Sequence, residues 1–97
     1  RDGNKIVMKN YNTNNLSLSV MIRDRQGLVF EGEAEGVSSV NDKGPFDVLP
    51  LHANFISLIK KEIILRLKGS VEKPLSLESG VLMVRENKVE VYLGVLR

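Results

Sequence analysis

Residues 16–33 read LSLSVMIRDRQGLVFEGE. Leu16, Leu18, Val20 and Ile22 alternate with Ser17, Ser19, Met21 and Arg23, a period of two that gives an extended strand one apolar face. Arg25-Gln26-Gly27 supplies a turn, since glycine reaches positive φ at little steric cost, and GLVFEGE returns as the second arm of a hairpin. A helix would need a sustained 3.6-residue period of apolar residues, and no segment of the chain carries one. The hairpin therefore sets the fold class.

Outward from the hairpin the same pattern recurs. AEGVSSV (34–40) has Val37 and Val40 as its apolar points, and NDKGP (41–45) is the strongest loop signal in the chain. FDVL leads to a corner at Pro50, and ANFISLI (53–59) follows. Lys60-Lys61 reads as a polar turn, after which Ile63, Leu65 and Leu67 alternate with Glu62, Ile64 and Arg66. Gly69-Ser70 turns the chain into VEKPLSL (71–77), where Pro74 cannot donate to a ladder and marks an edge or a bulge. VLMVR (81–85) follows Gly80, and Glu86-Asn87 separates it from KVEVYLGV, with Val89, Val91, Leu93 and Val95 on one side. The expected fold is all-β, a two-sheet β-sandwich of about eight to ten short strands at residues 16–97. Residues 1–15, with the Asn-rich NYNTNN, are expected to be an appendage, flexible or adding one short strand at Ile6-Val7-Met8.

Composition narrows the function. The 97 residues are 42% apolar and 27% charged, the balance of one small soluble domain with a thin core. A net charge of +2, from scattered lysines, gives no nucleic-acid footprint. No apolar run is long enough to span a bilayer. The absence of cysteine removes disulfides, thiolate nucleophiles and thiolate metal sites, and one histidine is a poor start for zinc. No glycine cluster precedes a helix to cradle phosphates. Ser57, His52 and Asp47 make a triad arithmetically possible, yet no nucleophile turn lies between them. No catalytic residue, cofactor or metal is expected. Glu31, Glu33 and Glu35 read as a solvated sheet face, and Phe30, Phe46 and Phe55 as core or core edge.

From about Leu16 to Val95 the chain resembles the N-terminal β domain of the epsilon subunit of rotary, F-type ATP synthases. The resemblance rests on Phe30-Glu31-Gly32, the Gly44-Pro45 loop, the Pro50-Leu51-His52-Ala53 corner and the Ser79-Gly80-Val81 step into the last hairpin. It implies a non-catalytic central-stalk subunit of a proton- or sodium-translocating synthase. Such a subunit sits peripherally on the cytoplasmic face of the energy-coupling membrane, binds the gamma subunit and the c-ring, and transmits rotation. Carried over, the c-ring side covers Gly44, Pro50, Leu51 and His52, with Asp42, Lys43 and Asn54 as sequence neighbours. His52 then becomes an interface residue; on the residues alone it is a turn histidine bonded to its own backbone, and both readings stand here.

Three departures from the family pattern matter. The family often has glycine where Leu51 stands, and a left-handed backbone there costs leucine about 1 kcal/mol or more. The corner must then use another turn type or offer Leu51 to a partner. Asp47 stands at an often small position and is expected to point outward. The family's C-terminal helical hairpin is expected to be absent, and with it the inhibitory and ATP-binding roles it carries. The alternative is a stand-alone β-sandwich module for interaction or ligand binding that kept the fold without the synthase role.

Overall fold

A computed structural model describes residues 16–94; the appendage expected at 1–15, including Ile6-Val7-Met8, and residues 95–97 lie outside the described residues. Seven strands follow in order: β1 (Leu18–Asp24), β2 (Gly27–Ala34), β3 (Gly36–Asn41), β4 (Gly44–Val48), β5 (Phe55–Leu67), β6 (Val71–Arg85) and β7 (Lys88–Leu93). No helix occurs among the described residues. The strands are hydrogen-bonded in the order β2-β1-β7-β6-β5-β3-β4, with the β1–β7 pair parallel and every other pair antiparallel.

This one sheet folds over itself to make both layers of the sandwich. Residues 55–59 of β5 pair with 80–84 of β6, while 61–67 pair with 71–77, and the register slips between Ile59 and Lys61. The 55–59 and 80–84 segments join β7, β1 and β2; the 61–67 and 71–77 segments join β3 and β4. Four of the expected short strands are thus two long ones. Lys60-Lys61 is a bulge and not a chain reversal, with Lys61 at φ 74°. A bulge bends a strand without ending it, so a pattern that breaks at two lysines continues through them.

The bend has its own chemistry. Across from it, the β3–β5 register jumps from Ser39↔Ile63 to Val40↔Lys60. The buried Ser39 hydroxyl donates to the Glu62 carbonyl at 2.7 Å, bonding an acceptor at the bulge. On the other side, Gly94 N–H donates to the Ser79 carbonyl at 2.8 Å. Gly80 has to be glycine for space, because a Cβ there would lie 2.9 Å from the Tyr92 carbonyl oxygen.

Alternation then places the core between the layers. Leu18, Val20, Ile22, Leu82, Val84, Val89, Val91 and Ile59 come from one layer and Val37, Val48, Ile63 and Leu65 from the other, all buried in one cluster. Phe30, Phe46 and Phe55 pack at its edge, as expected. Pro74 lies opposite Ile64 on the part of β6 that pairs only with β5 among the described residues, an edge position of the kind expected for proline. Glu31, Glu33, Glu35 and Asp47 are all exposed, and Ser38 donates its hydroxyl to Asp47.

Candidate functional site

The candidate residues occupy the two loops at opposite ends of β4. Asp42 and Lys43 form the two-residue tip of the β3–β4 hairpin, and Gly44 opens β4 at φ 121°. Asn41 organises the tip. Its carboxamide oxygen accepts the Lys43 N–H at 2.9 Å, and its nitrogen donates to the Ser57 hydroxyl at 3.1 Å. Lys60 bonds Asp42 at 3.1 Å, but the Asp42 side chain is 93% exposed, so solvent screens the pair and it adds little to stability.

Beyond β4 the chain makes a tight corner. His52 N–H donates to the Leu49 carbonyl at 3.1 Å, closing a four-residue turn with Pro50 second and Leu51 third. Proline presets the φ of the second position, and a type II turn requires positive φ at the third. Leu51 has φ 71°. Of the two outcomes left open for Leu51, a different turn type is therefore excluded. Leucine takes the left-handed backbone, and the residue is 64% exposed.

That corner is tied to a distant turn. Leu51 N–H donates to Asn87 Oδ1 at 2.7 Å. Glu86 and Asn87, at φ 51° and 64°, are the central residues of the two-residue loop joining Arg85 to Lys88, the signature of a type I′ hairpin. The Asn87 carbonyl in turn accepts the Ser19 N–H at 2.8 Å. Read from the sequence, Asn87 is only a separator between two strands. Asn at a two-residue turn does signal positive φ, but no local pattern announces a bond 36 residues away.

His52 is half-buried. Its ring packs edge-on against Phe55 at 5.5 Å, and Phe55 packs edge-on against Phe46 at 5.4 Å, so three rings link the corner to β4 and β5. His52 Nδ1 lies 2.7 Å from the Ala53 carbonyl oxygen. A carbonyl only accepts, so Nδ1 carries the proton in this bond and the neutral ring keeps Nε2 as an acceptor. This is the backbone bond of the turn reading, and it still leaves one ring nitrogen for a partner. Asn54 is exposed beside it.

The structure thus joins Pro50, Leu51 and His52 into one constrained corner and sets Asp42, Lys43 and Gly44 apart on the hairpin tip. Among the described residues nothing resembles a catalytic centre built on His52: Ser57 bonds Asn41 and the Leu58 carbonyl, and Asp47 bonds Ser38. An open groove of about 710 Å³ lies at the other end of β7 between the β1–β2 turn and the β6 bend, lined by Asp24, Arg25 and Glu78 among others. Among the described residues no acidic, histidine or cysteine cluster is arranged to hold a metal, and no helix is long and apolar enough to cross a membrane. Apolar side chains are nonetheless left outside the core: Leu49 and Leu51 at the corner, and Ile56 and Leu58 on β5.

A family model described as the beta-sandwich domain of the ATP synthase delta/epsilon chain matches residues 17–94. An ATP synthase epsilon chain from a Nitratiruptor species is 32% identical over 73 residues, covering 74% of this chain and 57% of that protein. Among solved structures, a chain of the Euglena gracilis mitochondrial ATP synthase (OSCP/F1/c-ring) superposes with TM-score 0.75 at 10% identity, covering 79% of this chain and 50% of its own. A chain of the Tetrahymena thermophila mitochondrial ATP synthase central stalk and c-ring superposes with TM-score 0.69 at 9% identity, covering 80% and 63% respectively. The chain therefore spans between half and two-thirds of the length of each of these proteins.

Proposed function

The chain belongs to the family of ATP synthase delta/epsilon-chain β-sandwich domains, and on that premise we propose that it is a non-catalytic central-stalk subunit that links the gamma subunit to the c-ring and transmits rotation. The observation that carries this reading is the Pro50–His52 corner. It holds an exposed leucine in a strained backbone, closed by its own turn bond and anchored to a second hairpin. Core packing does not require that arrangement, and strain that its surroundings hold in place supports the hypothesis of a contact there.

The rest of the domain suits a mechanical part. A close-packed sandwich resists shear, and here the two layers share continuous strands, so load on one reaches the other through covalent backbone. Two partners need about 800 Å² each. The hairpin tip (Asp42, Lys43, Gly44) and the corner (Pro50, Leu51, His52, Asn54) supply the patch for the c-ring. The exposed Ile56 and Leu58 on β5 belong to a separate surface available to gamma. The subunit would sit peripherally, on the cytoplasmic face of the coupling membrane.

Affinity capture of the tagged chain from its source cell tests the reading. Gamma and the ring-bearing assembly are expected to come down with it, and ring contact should weaken in His52→Ala. Recovery of neither partner overturns the proposal and leaves a stand-alone module.

A further inference from the structure

Leucine is the costly choice at position 51. Glycine would adopt the same positive φ freely, and nothing in the core calls for a leucine that is 64% exposed. The N–H of the third residue of a type II turn is not used by the turn itself, yet here it is bonded to Asn87 at 2.7 Å. Asn87 is held in place from two sides, by its own left-handed position in the β6–β7 turn and by its carbonyl bond to Ser19 at the start of β1. The corner is therefore registered to β1 and β7, strands of the other end of the sheet order from β4.

We infer that Leu51 is a specificity-determining apolar contact of the docking corner and that Asn87 is the positioning residue that fixes it. The inference rests on the reading of the corner as the c-ring contact. It also states the chemistry of the partner surface. Ala53 occupies His52 Nδ1, so the complement is an apolar recess for Leu51 beside an N–H or O–H donor for His52 Nε2. Asn suits position 87 because it tolerates positive φ and carries a side-chain acceptor.

The test uses the full chain, its thermal midpoint, and its association with isolated c-ring carrying gamma. Leu51→Gly is expected to leave the midpoint unchanged or higher, since strain is relieved, while weakening association about tenfold. Asn87→Gly keeps the turn but loses the acceptor. It should weaken association roughly threefold or more when Leu51 is present and cause no further loss in the Leu51→Gly background, as expected of two residues acting as one unit. Asn87→Asp, which retains an acceptor oxygen, should restore association. Equal binding by wild type and Leu51→Gly overturns the inference while sparing the proposed function, and so do losses that simply add. Failure of the wild-type chain itself to bind the gamma-bearing ring overturns both.

Discussion

Lys61 and Leu51 hold nearly the same backbone angle, φ 74° and 71°, for different reasons. At Lys61 the irregularity makes the fold. It sits where β5 passes from one layer to the other, between the buried Ile59 and Ile63, with the Ser39 hydroxyl on the neighbouring Glu62 carbonyl. At Leu51 the irregularity lies outside the core, on an exposed side chain, secured by the His52–Leu49 turn bond and the bond to Asn87. Strain at the bend is compensated by packing that every other residue shares. Strain at the corner is compensated locally, and the proposed docking is what would give it a use. Shape alone does not tell a structural bulge from a binding turn; what each one supports does.

The comparison breaks most readily at the bend. Ile63 is fully buried, so Ile63→Ala should cost about 2–5 kcal/mol, as core truncations that leave a cavity do. Chemical denaturation reads the loss directly. Because both layers share β5, unfolding should remain a single cooperative transition by independent probes such as circular dichroism and hydrogen exchange. Two separated transitions would mean that the bend is a hinge between independent layers, and the distinction from the corner would be lost.

A smaller change isolates the bulge from the core around it. Ser39→Ala removes about one hydroxyl's worth of volume but leaves the Glu62 carbonyl without its side-chain donor. The bond is part-buried, so its loss should cost about 0.5–1.5 kcal/mol, and the same variant should leave association with gamma and the ring unaltered once the domain is folded. A stability loss below the error of the denaturation curve would show that water replaces the hydroxyl and that Ser39 is not part of the bend's support.

How far these two regions were legible in the sequence follows from the same physics. Alternation exposes which face of a strand is buried, so the all-β class, the core valines and leucines, the outward Asp47 and the solvated Glu31, Glu33 and Glu35 could all be read from period two. A bulge shifts that period by one residue without any obligatory residue type, so two long bent strands looked like four short ones. The sandwich survived this misreading because its layers depend on the faces, not on where each strand ends. At the site, Pro50 marked a corner from local chemistry, and the resemblance flagged a strained turn because the family often has glycine where Leu51 stands. Neither flagged Asn87, because its role depends on a meeting in space that only the β6–β7 hairpin and the parallel β1–β7 pairing bring about. Asp42 and Lys43 were chosen for nearness in sequence to Gly44, and β4 sets that hairpin tip at its opposite end from the corner.

That last separation gives the mildest test and the sharpest one for the extent of the docking surface. Asp42→Asn removes the ion pair with Lys60, whose partners are 93% and 45% exposed at the side chain. Exposed pairs contribute about 0–1 kcal/mol, so the denaturation midpoint should barely move, and the difference should fade as salt rises beyond about 0.1 M, where the screening length drops to roughly 10 Å. If the hairpin tip shares the contact made by the corner, the variant will weaken association with the ring by a small, salt-dependent factor, mostly through a slower on-rate, as rim charges do. If association is untouched at every salt concentration, the contact shrinks to the Pro50–His52 corner and its Asn87 anchor. Asp42 and Lys43 then become what Lys60-Lys61 turned out to be, charged residues at a change of chain direction whose purpose is geometric.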